Sequence, residues 1–145
     1  SILIGLESMR AFAIGTVCRE LGTGIYTAEL SKQWLAPDFV PVIIFLVGCF
    51  IAFSTGTSWG TFAIMLPIGI PMAQALDANL YLTVAAALGG GVFGDHCSPI
   101  SDTTIISSMA SASDHIDHVK TQLPYALTAG AITAVLYLVL GILIH

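Results

Sequence analysis

Apolar residues run along this chain in blocks separated by short polar stretches, and the length of each block decides what it can do. Crossing the hydrocarbon of a bilayer takes about 20 mostly apolar helical residues. The block 124–144 (PYALTAGAITAVLYLVLGILI) reaches that length without a charge, opens on a proline where a first helical turn needs no N–H, and carries Tyr125 as an interfacial anchor. It predicts a transmembrane helix. The block 39–53, with Pro41 near its start, and the block 62–76, which holds Pro67, Gly69 and Pro71, are shorter, and neither crosses comfortably alone. Between them, Ser54-Thr55-Gly56-Thr57-Ser58-Trp59-Gly60-Thr61 is rich in hydroxyls and glycine and too short for an extramembrane domain. Two short helices meeting at such a stretch predict a re-entrant hairpin with its tip at depth.

The block 80–93 ends in Gly89-Gly90-Gly91 and runs into Gly94-Asp95-His96-Cys97-Ser98-Pro99-Ile100-Ser101-Asp102-Thr103-Thr104, after which helix resumes weakly over 103–112. Irregular backbone at membrane depth is tolerated only where it is buried in protein or lines a wet cavity, because lipid satisfies neither N–H nor C=O. A discontinuous helix, interrupted between Gly89 and Asp102, is therefore expected. The opening block 2–17 places Glu7 and Arg10 at i,i+3, close enough to pair on one helix face, and reads as the end of a packed transmembrane helix. The stretches 20–38, with charge, glycine and Trp34, and 114–122 (DHIDHVKTQ) read as interfacial connectors. The fold class expected is all-α, a polytopic membrane protein.

Composition strengthens that expectation. Of 145 residues, 56% are hydrophobic and only 9% charged, against about 25% charged in soluble domains. A soluble core of this make-up would leave large apolar patches in water. Net charge is -5, and Arg10, Arg19, Lys32 and Lys120 are scattered, which excludes a basic stripe for nucleic acid and feeds the positive-inside rule too weakly to orient the chain. Cys18, Cys49 and Cys97 are odd in number and far apart, fitting neither a disulfide framework nor a paired-cysteine zinc site. Ser1 lies in an apolar stretch with no methionine, basic n-region or cleavage site, so the chain reads as a fragment of a longer protein.

Asp95 and Asp102 carry the chemistry. On an unbroken helix they would stack about 10 Å apart on one face, but Gly94 and Pro99 make a break more economical, and a break lets both face one cavity. Acidic residues in a membrane segment point to an ion or proton pathway; the plainer alternative is an exposed polar loop, against which stand the apolar flanks on both sides. Desolvation favours the protonated form of a carboxylate and bound sodium favours the ionised form, so the two ions compete for the same oxygens. Two neighbouring carboxylates titrate as a pair. Hydroxyls and freed helix-end carbonyls suit sodium: Ser98, Ser101 and Thr103 flank the aspartates, and Ser54, Thr55, Thr57 and Ser58 could approach from the hairpin tip. For any single hydroxyl, capping or back-bonding is the simpler role. His96 is a candidate proton carrier or hydrogen-bond partner of Asp95. His115 and His118 share a helix face, but no further ligand is forced nearby, and an interfacial charged turn is preferred to a structural metal.

These same residues resemble the NhaC-type sodium/proton antiporter family, part of a broad ion-transporter superfamily. The resemblance lies in 94–104, continuing through Asp114-His115-Ile116-Asp117-His118 to Thr121-Gln122-Leu123-Pro124-Tyr125, and in Thr55-Gly56-Thr57-Ser58-Trp59-Gly60-Thr61. It implies a secondary transporter of the cell membrane built from two inverted repeats, each with a re-entrant hairpin and a broken helix. Residues 1–145 would be the C-terminal portion of its transport domain, completed by an upstream half. The implied partners are transported Na+ and H+ and the lipid bilayer, without a cofactor, a further metal or nucleic acid; a homo-oligomer stays open. The family also includes carriers exchanging sodium for organic acids, and amino-acid transporters are related. A membrane enzyme using Asp95, His96 and Ser98 or Ser101 is disfavoured by the lack of a nucleophile-elbow pattern. A structural membrane subunit would tolerate alanine at both aspartates.

Overall fold

The computed structural model describes residues 2–144, and the side chains of all but residues 2–5, 7, 8 and 11. The described residues contain no strand. Their order is α1 (Ile2–Glu20), α2 (Thr23–Ser31), a 3-10 turn (Pro37–Phe39), α3 (Val40–Thr55), α4 (Ser58–Leu76), α5 (Leu80–Cys97), α6 (Asp102–Ala110) and α7 (His115–Leu143). The Glu7–Arg10 pair expected from spacing lies outside the described side chains.

Local chemistry sets the helix starts. Pro41 occupies the first turn of α3. Thr57 accepts the Gly60 N–H at 3.4 Å to cap α4, and Asn79 accepts the Leu82 N–H at 3.0 Å to cap α5. Asp114 accepts the N–H groups of Ile116 and Asp117 at 2.9 and 3.2 Å, and so starts α7 well before Pro124. That corrects two expectations at once: 114–122 is the first part of α7 rather than a connector, and Pro124 sits inside the helix rather than at its head. Pro67 and Pro71 likewise lie inside α4 without ending it. Proline is tolerated in membrane helices where neighbouring helices and side chains compensate the lost donor.

The helices therefore outrun their apolar blocks. Pro37–Thr55 and Ser58–Leu76 are 19 residues each and His115–Leu143 is 29, all long and apolar enough to cross a membrane. The expectation that 39–53 and 62–76 are too short to cross is corrected accordingly, because the hydroxyl-rich stretch between them is itself mostly helical. Only Gly56 and Thr57 separate α3 from α4, with Gly56 in the left-handed region at φ 70°. The stretch 20–38 is also more ordered than a connector, since α2 seats Gly24 against Pro67 and Pro71 of α4.

Val40, Ile44 and Phe45 of α3, Met65 and Met72 of α4, and Ala86 and Ala87 of α5 form the buried core, with Ala28 of α2 at its edge. The closest seam joins α3 to α5. A side chain at Gly90 would run into the Phe45 carbonyl, and one at Gly94 into the Cys49 carbonyl. Small residues let membrane helices approach backbone to backbone, where dispersion replaces the missing hydrophobic drive. Gly89, Gly90 and Gly91 are thus interior to α5, and the interruption expected from Gly89 onward narrows to residues 98–101. α7 covers α3 and α5 on another side, with the Tyr137 ring tilted against that of Phe45 at 5.2 Å between ring centroids.

Candidate functional site

α5 ends at Cys97 because Ser98 turns to extended backbone (ψ 128°) and Pro99 follows without an N–H to donate. Ser101, also extended, caps α6 by accepting the Thr103 N–H at 3.2 Å. The four residues between the helices carry the chain across a gap that leaves the last carbonyls of α5 without the usual helical donors. One of these, the His96 carbonyl, accepts the Thr104 hydroxyl at 3.4 Å.

Asp95 stands in the last turn of α5 and is 3% exposed. Its Oδ1 accepts the Ser101 hydroxyl at 2.7 Å and its Oδ2 accepts the Thr103 hydroxyl at 3.2 Å. The two hydroxyl oxygens are themselves 2.7 Å apart. No basic side chain forms an ion pair with Asp95 among the described residues. A buried carboxylate without a cation is expensive, and two hydroxyl bonds offset only part of that expense. The protein keeps the group there nonetheless.

The break is braced from two sides. Gly56, at the α3–α4 turn, lies against Ile100 so closely that an added Cβ would come within 3.0 Å of the Ile100 carbonyl oxygen. The two interruptions of the backbone therefore meet. From the other side, His115 in the first turn of α7 reaches the Pro99 carbonyl with Nε2 at 2.7 Å and the Ser108 hydroxyl with Nδ1 at 3.1 Å. A carbonyl only accepts, so Nε2 bears the hydrogen.

The sequence-derived candidates distribute unevenly over this geometry. Asp95, Ser101 and Thr103 form one cluster, and Ser98 is buried beside them, accepting the Ile100 N–H at 3.4 Å. Asp102 is exposed in the first turn of α6, and no hydrogen bond joins it to Asp95 among the described residues. His96 is exposed and bonds through Nδ1 to the Val92 carbonyl at 3.0 Å, not to Asp95. Ser54 and Thr55 donate to the Phe50 and Ile51 carbonyls of their own helix, both at 2.8 Å. Thr57 caps α4, and Ser58 is half-buried beside it. Sequence reasoning missed the bracing role of His115. Its signal was present in the capping pattern Asp114-x-x-Asp117, which fixes where α7 begins and hence which way His115 faces. No cluster of three or more His, Cys, Asp or Glu side chains suited to a metal occurs among the described residues.

Residues 6–142 match the model of the Na+/H+ antiporter family. A protein of Haemophilus influenzae with no assigned function is 45% identical over 97% of the chain. The malate-2H+/Na+-lactate antiporter of Bacillus subtilis is 34% identical over 81% of the chain, and the Na+/H+ antiporter NhaC of Alkalihalophilus pseudofirmus is 30% identical over 96%. The chain spans less than a third of the length of these relatives, 29%, 28% and 29% respectively. No solved structure gives a significant match.

Proposed function

Because the chain belongs to the Na+/H+ antiporter family, we propose that the full-length protein exchanges Na+ for H+ and that Asp95 is the group for which the two ions compete. The family is one of antiporters, not enzymes, and with three helices long and apolar enough to cross, the chain is a multi-pass segment of the cell membrane. The observation that carries the proposal is the triangle of residues Asp95, Ser101 and Thr103, whose four side-chain oxygens face one another. It has three close contacts, at 2.7, 2.7 and 3.2 Å. With Asp95 ionised, two hydroxyl hydrogens serve those three contacts, so one pair of oxygens faces without a hydrogen between them. A proton on Asp95 supplies the third hydrogen. A sodium ion drawn to the same four oxygens answers the same shortfall with positive charge. The two answers exclude each other, since protonation removes the negative charge that favours the cation. Exchange follows from that exclusion.

The other candidates take supporting parts in this reading. Ser98 lines the floor of the break, and freed carbonyls at the end of α5 present the negative pole of a helix dipole to a cation. Asp102, at the surface of α6, draws cations toward the mouth. Thr57 and Ser58, with Ser54 and Thr55 behind them, belong to the turn that touches Ile100 and hold the break in shape. The rest of the full-length protein supplies the opposite wall, residues 1–145 acting as the C-terminal portion of its transport domain. The malate/lactate relative favours a second reading, in which the same Asp95 chemistry couples to an organic acid held elsewhere in the complete transporter. Flux measurements on the full-length protein in vesicles decide between them. Sodium-dependent proton movement without any organic anion supports the first reading, and a strict requirement for malate or lactate supports the second. Proton flux that ignores sodium in both conditions defeats both.

A further inference from the structure

α1 and α4 leave a half-open slot between them, a cavity of about 360 Å³, within the range of about 300–1,000 Å³ usual for small-molecule sites. Its walls are apolar: Phe12 of α1, Trp59, Phe62 and Leu66 of α4, and Leu88 of α5. Trp59 and Phe62 meet edge to face at 6.0 Å between ring centroids, and Phe62 packs against Gly91 of α5, which fixes the aromatic side. Arg19 is the one charged side chain in the lining. Its depth follows from the packing: Gly15 rests on Ala63 and Gly24 on Pro67 and Pro71, so Arg19 falls beside Pro67, the middle residue of the 19 in α4. A guanidinium level with the middle of a helix long enough to cross a membrane is costly unless an anion meets it, and no described residue forms an ion pair or hydrogen bond with it. Glu20, the next residue on the helix, faces elsewhere. The slot also holds an acceptor. Pro67 has no N–H to give the Ala63 carbonyl, and opposite that oxygen stands Gly15, so close that an added Cβ would come within 2.6 Å of it.

We propose that this slot binds the anion of a 2-hydroxy monocarboxylic acid with an apolar body. The carboxylate takes the planar fork of Arg19, the 2-hydroxyl donates to the Ala63 carbonyl, and the apolar body lies against Trp59, Phe62 and Leu88. One guanidinium and one carboxylate sum to zero, the condition under which charge is tolerated at membrane depth. A second carboxylate would stay unpaired, because no other basic side chain lines the cavity. An amino acid would bring an ammonium that restores the net positive charge. A phospholipid is disfavoured by depth, since its phosphate lies outside the hydrocarbon whereas Arg19 stands beside the middle of α4. The slot shares no residue with the Asp95 cluster, so it holds its ligand whichever reading of that cluster is right.

The test is equilibrium binding to the purified full-length protein in lipid nanodiscs, using three labelled acids that differ only at C2. Phenyllactate carries a hydroxyl there, 3-phenylpropionate a hydrogen and benzylmalonate a second carboxylate. Phenyllactate should bind about fivefold more tightly than 3-phenylpropionate, the size of one neutral hydrogen bond, and at least about tenfold more tightly than benzylmalonate. Arg19→Gln should weaken phenyllactate binding at least about tenfold. Leu88→Trp fills the slot while leaving Arg19 in place and should block binding; thermal unfolding is measured for both variants, and Leu88→Trp decides if Arg19→Gln does not fold. Equal binding of the three acids overturns the proposal, as does phenyllactate binding that is unchanged in a folded variant. Binding of none of them overturns it too, since the rest of the protein would then cover Arg19. So does loss of phenyllactate binding on moving from neutral to anionic lipid in high salt, where surface repulsion is screened, because a lipid would then occupy the slot.

Discussion

The chain reverses or breaks its helices at two hydroxyl-rich places, and the two use their hydroxyls differently. At the α3–α4 turn, Ser54, Thr55 and Thr61 each bond a carbonyl four residues back on their own segment, and Thr57 caps the helix that follows. At the α5–α6 break, Ser101 and Thr103 reach across the gap to a buried carboxylate. Composition is nearly the same in both. What differs is that only the second has an acidic side chain within reach, so only there do hydroxyls act as a shell around a charge. The first place contributes shape: Gly56 can sit against Ile100 because it has no side chain.

The largest expected effect tests that difference at its centre. Asp95→Asn replaces a carboxylate with an amide whose N–H can donate to Thr103 while its oxygen still accepts from Ser101. The triangle is then permanently filled, as it is in the protonated state. Exchange should fall by a hundredfold or more, on the order of what removing a proton-transfer group costs, while thermal unfolding in detergent stays near the parental midpoint. A variant that unfolds early would show that the charge serves packing instead.

Next in size are the two hydroxyls of the shell. Ser101→Ala or Thr103→Val removes one hydrogen bond to a charged group, about 1.5–3 kcal/mol, and should weaken sodium activation by about 10- to 100-fold. Losses much smaller than this would make the two breaks alike after all. Asp102→Asn comes below them. Because Asp102 is exposed, it acts through the field at the mouth, and its loss should raise the sodium concentration for half-maximal exchange by about two- to fivefold at low ionic strength and hardly at all in high salt. If Asp102→Asn instead equals Asp95→Asn and ignores salt, the two carboxylates work as the pair that their spacing suggests.

These differences were only half legible in the sequence. The apolar blocks located the membrane helices but not their ends, and Pro99 located the break, because a residue without an N–H leaves a mark that any fold must respect. Gly89, Gly90 and Gly91 were ambiguous: glycine marks a break or a close helix seam, and only the Phe45 carbonyl against Gly90 decides which. Pro67, Pro71 and Pro124 were ambiguous in the opposite sense, since a membrane helix absorbs prolines that would end a short soluble one. Asp95 and Asp102 look equivalent as letters. Their burial differs because Asp95 closes α5 on the packed side whereas Asp102 opens α6 toward the surface, a distinction set by the direction the chain takes through residues 98–101.

The smallest effect is expected at the first hydroxyl cluster, and it is the one that most sharpens the comparison. Ser54→Ala and Thr55→Val each delete a hydroxyl that bonds backward to a helical carbonyl already satisfied or nearly so by the helix itself. Such back-bonding gives a helix little, so stability should change by no more than about 0.5 kcal/mol. Both side chains are exposed in this chain, and neither touches the Asp95 triangle. Sodium activation should therefore shift by less than about twofold, the equivalent of a few tenths of a kcal/mol. The measurement is the sodium dependence of exchange in vesicles for the double variant Ser54→Ala, Thr55→Val beside Ser101→Ala. A tenfold loss in the double variant would mean that these hydroxyls turn inward when the full-length protein closes around the ion. The α3–α4 turn would then be a second set of ligands rather than a wedge that holds the break in shape.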